Sequence, residues 1–294
     1  MRLLVTGATG YLGWRATVLL RERGHAVTAL ARPGARDRAA ARSLDTVACD
    51  AGDPRARDLV AGHEAVLHFA GLPDPARARE DPAAAVRANA GTTLNLLEAC
   101  ADHGAALGYP SSVRAAVQPA PDPYAASKCL GEEACRVHAA PTTVVRLASV
   151  FGPGQVAWEG ATGAIAAFAA RALEGRPIVI PGRPERTRDF LYVDDLVDGL
   201  ERLLRAGAWG TVLTAASGVS TPLLEAAQAA RDAAGTGVEI ELPGGDLPAG
   251  ENDSYGPSAT DRRLPLTARP LREAVTAYVD WLRRHPAAQG RAQA

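Results

Sequence analysis

RLLVTGATGYLG (residues 2–13) is the stretch whose reading decides the fold. Arg2 to Thr6 is a short apolar run that stops at a glycine, the pattern of a buried strand. Gly7, Gly10 and Gly13 follow in G-x-x-G-x-x-G spacing, and a helical pattern then runs through Arg23 to Gly24. Strand, glycine-rich turn and helix in that order open a nucleotide-binding βαβ unit. Glycines let the backbone turn tightly and approach a pyrophosphate, while the helix N-terminus offers unpaired N–H groups and a positive dipole end. Gly7, Gly10, Tyr11, Leu12 and Gly13 are therefore candidate cofactor contacts.

Working outward, Ala26 to Leu30 reads as the second strand. Its end is where an acid grips the adenosine ribose of NAD, but this chain has Ala31-Arg32 there. Without a carboxylate, a 2′-phosphate is not repelled and Arg32 can bind it, which leans towards NADP. The plainer reading is an exposed Arg in an Arg-rich loop, since Arg36, Arg38 and Arg42 follow. Thr46 to Asp50 is a third strand, ending in an acid placed to reach the adenine edge, with Ala51 beside it. A fourth, Ala65 to Phe69, leads into Ala70 and Gly71, small residues that let a cofactor approach. His68 reads as a packed strand-end residue. Asp81 and Pro82 begin a long helix to about Asp102, within which Asn89, if buried, needs a partner. Gly104 to Tyr109 makes the fifth strand, followed at once by Pro110-Ser111-Ser112.

The next informative stretch is YAASK (124–128). The chain has 31 arginines and a single lysine, Lys128, which points to a place where a planar fork will not serve. On a helix, Lys128 lies one turn along the same face as the Tyr124 phenol. A neighbouring cation favours the phenolate, so the expectation is a Tyr124 pKa lowered from about 10. A proton carrier tuned in this way suits interconversion of an alcohol and a ketone. Serines capping a turn are ordinary, but their position before this helix marks Ser112 as a donor to the substrate oxygen.

Composition narrows the class. The chain has 294 residues, 47% hydrophobic and 22% charged, with a formal net charge of -1, which gives no sign of a nucleic-acid or membrane partner. No signal peptide or membrane span is read, and the four cysteines suggest free thiols in a cytoplasmic protein. The six histidines are scattered singly, without metal-ligand spacing, so no metal site is expected.

GATGYLG (7–13), Asp50, LHFAG (67–71), RANAGTTLNLLEAC (87–100), SS (111–112), YAASK (124–128), RLASVFGPGQ (146–155) and RTRDFLYVDDL (186–196) stand in an order that resembles the extended short-chain dehydrogenase/reductase family. Within it, the nucleotide-sugar epimerase/dehydratase branch is the most similar. The resemblance implies that Ser112, Tyr124 and Lys128 form the catalytic triad, with Gly7, Gly10, Gly13, Asp50, Asn89 and Lys128 around the cofactor. Phe69, Ala70 and Gly71 are further cofactor candidates, and Ser149, Gln155 and Arg188 are candidates for the substrate, Arg188 as a diphosphate clamp. The plainer reading of Arg188 is a pair with Asp189 that pins the loop.

The departures are informative. Val113-Arg114-Ala115-Ala116-Val117 replaces the family's Val-Tyr-Gly, and Ser112 is only twelve residues ahead of Tyr124. Val113-Arg114 also stands where 4,6-dehydratases carry an Asp-Glu pair, which sets dehydration aside. Later elements are a sixth strand at 142–147, a loop at 156–163, a helix at 164–173 and strands at 177–181 and 212–216. Helices at 221–234 and 271–284, a mobile loop at 243–257 and a disordered tail from Pro286 complete the chain.

The fold expected is a doubly wound parallel α/β sheet of Rossmann type with a smaller C-terminal substrate lobe. Residues 1–150 plus about 187–217 would bind the dinucleotide, and about 151–186 and 218–294 would form the lobe. The function expected is an NAD- or NADP-dependent nucleotide-sugar epimerase acting at C4, in homodimeric form. The alternatives are an NADPH-dependent ketoreductase on a nucleotide-linked keto-sugar or other small carbonyl, and a non-catalytic NADP-sensing protein.

Overall fold

The run Arg2–Thr6 forms β1, and a parallel sheet extends from it on both sides. The computed structural model describes residues 1–35, 43–156, 163–247, 254–256 and 261–284. The expectations for Arg36, Arg38 and Arg42, for residues 157–162, for 248–253 and 257 within the loop at 243–257, and for the tail from Pro286 lie outside the described residues. The later strands are β2 (Ala26–Ala31), β3 (Val47–Ala48), β4 (Ala65–His68), β5 (Ala106–Ser112), β6 (Thr142–Leu147) and β7 (Ser149–Phe151). They continue with β8 (Ile178–Pro181), β9 (Thr187–Tyr192), β10 (Thr211–Ala215), β11 (Ser220–Pro222), β12 (Ile240–Gly244) and β13 (Ser254–Tyr255). The helices are α1 (Tyr11–Glu22), α2 (Pro75–Glu80), α3 (Pro82–Val86), α4 (Thr92–His103), α5 (Pro123–Val137), α6 (Ala164–Leu173), α7 (Val193–Ala206), α8 (Leu223–Ala234) and α9 (Leu271–Arg284).

The main sheet has the order β10-β6-β5-β4-β1-β2-β3, and every neighbouring pair is parallel. Leu3, Leu4 and Val5 are fully buried, as a strand covered on both faces requires. Chain order reverses at β1, which pairs with β2 on one side and β4 on the other. Parallel sheets of this kind bind ligands outside the carboxyl ends of their strands at such a reversal. Two compact units make up the chain. One comprises residues 1–147, 197–215 and 261–265, and the other comprises 148–196, 216–260 and 266–294.

The long helix expected from Asp81 starts there and runs to His103, with one irregular turn inside it. Asp81 ends α2 with non-helical dihedrals and its carboxylate caps α3 by accepting from Ala84 N at 2.8 Å. Pro82 fixes this start, because the residue before a proline is driven out of the helical region. A single π-helical turn, Arg87–Gly91, then joins α3 to α4 and carries Asn89. Ser111 and Ser112 lie within β5, paired with Arg146 and Leu147, so the strand is longer than its apolar pattern indicates. The expected third strand shrinks to Val47–Ala48.

In the second unit, the stretch read as a loop pinned by Arg188 and Asp189 is β9, which pairs with β7, β11 and β13. Phe190 and Tyr192 anchor it by packing edge-on against Phe151, at centroid distances of 6.3 and 5.7 Å. Around them α6, α8 and α9 meet through buried alanines, among them Ala166, Ala169, Ala226, Ala227 and Ala274, whose small side chains permit close helix packing.

One ion-pair network ties α1 and the start of β2 to α7. Arg23 bonds Asp198 and, at 2.8 Å, Glu201, while His25 Nε2 lies 3.0 Å from Glu201 and Arg205 Nη2 lies 2.7 Å from it. Burial acts to raise the Glu201 carboxyl, but the hydrogen bonds of His25, Arg205 and Arg23 together hold it at about 2. A carboxylate whose folded pKa is depressed stabilises fully above its unfolded pKa, and that contribution fades as pH falls towards the folded value. Glu201→Gln should therefore cost about 1 kcal/mol at pH 7. It should also flatten the loss of stability between the ordinary carboxylate range and pH 2, as read by urea unfolding at stepped pH. An unchanged acid limb would remove Glu201 from that role.

Candidate active site

The glycine turn is a place where side chains do not fit. Gly7 has φ +65°, and a Cβ on it would lie 2.6 Å from Ala70 N and 2.7 Å from the Phe69 carbonyl carbon. A Cβ on Gly13 would overlap the Gly7 carbonyl. The end of β1, the start of α1 and the segment after β4 thus share backbone-to-backbone contact. Gly10 begins α1 without a side-chain cap, and Tyr11 and Leu12 of its first turn are half-buried.

Behind the turn lies a polar relay that sequence reading missed. Ala70 N–H donates to Thr6 Oγ1 at 3.1 Å, Thr6 Oγ1 lies 2.8 Å from His68 Nδ1, and His68 Nε2 lies 3.1 Å from Thr92 Oγ1. Thr92 donates its own proton to Ala88 O at 2.7 Å, so it accepts from His68 Nε2–H and leaves Nδ1 to accept from Thr6. Burial first, and then the Lys128 charge, push His68 down to about 3. His68 is accordingly a neutral spacer of fixed tautomer that holds the Phe69–Gly71 segment in place.

Asn89 holds the next piece. It is 1% exposed, accepts from Leu72 N at 2.8 Å, and donates to Leu72 O at 3.1 Å and Ser127 Oγ at 2.8 Å. A Cβ on Gly71 would overlap its Oδ1. Asp50 is exposed after β3 and accepts from Gly52 N at 2.8 Å, while Asn95 fixes the same loop through Ala51 O and Asp53 O at 2.9 and 3.2 Å. Ala51 is buried, and Arg32 is exposed at the end of β2. A cradle that a single Cβ would fill, opening at a helix N-terminus, fits a dinucleotide pyrophosphate.

Asp122 organises the Tyr-Lys helix. Its Oδ1 caps α5 by accepting from Ala125 N at 2.8 Å, and its Oδ2 lies 2.5 Å from Arg114 Nη2. Ser112 caps the short turn 113–116 by accepting from Arg114 N at 3.2 Å, and its hydroxyl acts to lower the pKa of the Tyr124 phenol. Ser111, by contrast, donates to Glu132 at 2.5 Å, and Arg146 clamps the same carboxylate at 2.6 Å. Of the two serines, only Ser112 faces Tyr124.

The expected lowering of the Tyr124 pKa does not occur. Burial pushes the phenol up to about 12, with the Ser112 hydroxyl and the Arg114 charge acting against it and Asp122 reinforcing it. Lys128 turns instead to Pro110 O, 2.9 Å away, with its ammonium 4.9 Å from the Tyr109 ring centroid. Burial brings that amine down to about 8, while Glu132 and Cys135 act to raise it. The cation that acts on the phenol is Arg114, which sequence reading took only as a departure.

The three substrate candidates lie in the second unit. Ser149 starts β7 opposite Phe190. Gln155 is buried, and its carbonyl accepts from Tyr278 Oη at 2.6 Å. Arg188 is buried on β9 and donates to Thr187 O at 2.7 Å. It is Asp189 that pins a loop, accepting from Ser217 N and Gly218 N at 2.7 and 2.8 Å, so the expected Arg188–Asp189 pair gives way to this anchor. Asp195, in the first turn of α7, clamps Arg269 at 2.7 Å.

A parallel sheet of this order, with a glycine cradle at its reversal point, defines a dinucleotide-binding α/β enzyme of the extended short-chain dehydrogenase type. The chain belongs to the NAD dependent epimerase/dehydratase family, whose profile matches residues 3–213. A UDP-glucose 4-epimerase of Mycolicibacterium smegmatis is 30% identical over 275 residues, covering 82% of this chain and 85% of that one. Among solved structures, the UDP-glucose 4-epimerase of Thermotoga maritima with UDP-glucose superposes with a TM-score of 0.82 at 23% identity, over 96% of this chain and 99% of that one. The Thermus thermophilus UDP-glucose 4-epimerase complex with NAD gives 0.80 at 24% identity, over 97% and 99%. No helix among the described residues is long and apolar enough to cross a membrane.

Proposed function

We propose that the chain is a nucleotide-sugar 4-epimerase in which Tyr124 is the acid–base. The observation that carries this reading is the placement of Ser112 at the carboxyl end of β5, where it acts on the Tyr124 phenol, in the same unit and sheet as the glycine cradle after β1. The 4-epimerases among its relatives support the substrate class.

In this reading the first unit binds the dinucleotide and the second the substrate. The backbone of Gly7, Gly10, Tyr11, Leu12 and Gly13 receives the pyrophosphate. Asp50 and Ala51 take the adenine end. Phe69, Ala70 and Gly71 would line the rest, with Asn89 buried behind them and bonded to Leu72 and Ser127, and Lys128 would donate to the nicotinamide ribose. When bound, the nicotinamide supplies a reversible hydride acceptor. Tyr124 takes the proton from the sugar C4 hydroxyl and returns it once the ring has turned over, so the sugar's oxidation state is unchanged overall. Ser112 donates to the same oxygen and holds it at the phenol. Arg188 clamps the diphosphate, with Ser149 and Gln155 towards the sugar.

Arg32, free of the ribose carboxylate, favours NADP over NAD and so keeps a ketoreductase reading in view. The activity assay separates the two. UDP-glucose and UDP-galactose should interconvert with NAD and no net reductant, whereas a reductase consumes NADPH stoichiometrically. Exposed Leu94 on α4, together with Leu130 and Val137 on α5, supports a homodimer, which a single-chain mass in sedimentation equilibrium would refute.

Tyr124→Phe should leave NAD affinity unchanged and slow interconversion by ~10²–10⁴. Near-full turnover in that variant would sink the assignment. By calorimetry, Arg32→Ala should weaken NADP about tenfold and leave NAD unchanged, since a charge-assisted hydrogen bond contributes about 1.5 kcal/mol. Equal losses for both cofactors would show that Arg32 does not read the 2′-phosphate.

A further inference from the structure

Arg114 and Asp122 lie on either side of the shortened connection between Ser112 and Tyr124. Their side chains close it, Nη2 to Oδ2 at 2.5 Å, and they are largely shielded from solvent, at 13% and 2% exposed. Each also makes a backbone contact at one end of the site. The Arg114 N–H donates to Ser112 Oγ at 3.2 Å, and Asp122 Oδ1 caps the first turn of α5 through Ala125 N at 2.8 Å. One ion pair therefore joins the residue that orients Ser112 to the residue that starts the Tyr124 helix.

We infer that Arg114 and Asp122 are a paired positioning device that holds Ser112 against Tyr124 and sets the electrostatic field at the phenol. This deepens the reading of Tyr124 as acid–base and rests on it. A longer loop has many ways to bring the serine and the tyrosine together. This chain has eleven intervening residues, and a buried pair defines their register. The pair is also asymmetric at the phenol, where the guanidinium favours ionisation and the carboxylate opposes it. The other groups around Tyr124 are Ser112 and Tyr109 on β5, Lys128 one turn along α5 and His68 on β4 behind Lys128. Glu132 lies two turns along α5 and is held by Arg146 and Ser111, so its charge is paired away from the phenol.

This asymmetry separates a field-setting pair from a merely structural one. If the pair only supports the fold, removing either partner moves the phenol in the same direction. If it sets the field, the two removals move it in opposite directions. The test is 13Cζ-tyrosine NMR of the NAD-saturated protein across pH, with the Tyr124 signal assigned by its loss in Tyr124→Phe. Arg114→Gln should raise the Tyr124 midpoint by about one pH unit. Asp122→Asn, which keeps an N-capping side chain, should lower it. Arg114→Lys should return it most of the way to the wild-type value. Shifts of the same sign in Arg114→Gln and Asp122→Asn, or no shift in either, would overturn the inference. Should Arg114→Gln fail to fold, the direction in Asp122→Asn decides alone, and an upward or absent shift overturns it. The readout needs no turnover, so it stands apart from the activity test of Tyr124 itself.

Discussion

The absence of room for a Cβ at Gly7 and Gly13 is the constraint on which the rest of the fold depends. Three backbone segments meet there: the end of β1, the first turn of α1 and the loop leaving β4. A side chain at either position would drive β1 and β4 apart at their carboxyl ends, where the order of the sheet reverses. The relay from Thr6 through His68 to Thr92 exists because that loop, once brought so close, has backbone N–H groups that need partners. From Thr92 the connection passes to the π turn and Asn89, and from Asn89 to Ser127 on the helix that carries Tyr124. The cradle and the helix that carries Tyr124 are thus parts of one continuous polar framework within the first unit.

Burial governs the chemistry of that framework. It pushes the Tyr124 phenol up to about 12 and the Lys128 amine down to about 8, so each resists its charged form. The charges that remain are matched nearby, Glu132 by Arg146 and Asp122 by Arg114. A phenol in such surroundings gives up its proton only when positive charge is supplied close to it. In the protein itself that charge comes from a residue outside the Tyr-x-x-x-Lys pattern.

The parallel sheet was legible because its strands are apolar runs ended by glycine or small polar residues. The catalytic candidates were legible because Lys128 is the sole lysine. Other features were hidden for identifiable reasons. The π turn at Arg87–Gly91 lies inside a helix whose composition reads as continuous. Arg188 and Asp189 disguise β9, whose buried polar groups find backbone partners that no local pattern announces. The Tyr124 environment was misjudged because spacing along a helix reports neighbours on that helix alone. Arg114 reaches the phenol from a different element, through a contact that only the folded chain creates.

The two margins of the seven-stranded sheet carry a consequence of a different kind. At one margin β3 is only two residues long, and at the other the segment Arg262–Leu264 bonds to Thr214 of β10 on both sides of its peptide unit. Among the described residues, β3 is too short and β10 too closely bonded at Thr214 to be the template on which a foreign strand assembles. A sheet rich in Val, Leu and Ala is thereby kept from growing into its neighbours. Copies of the chain that meet at high concentration are left to recognise each other through side chains on helix faces, where charge and shape discriminate, rather than through strand pairing, which does not.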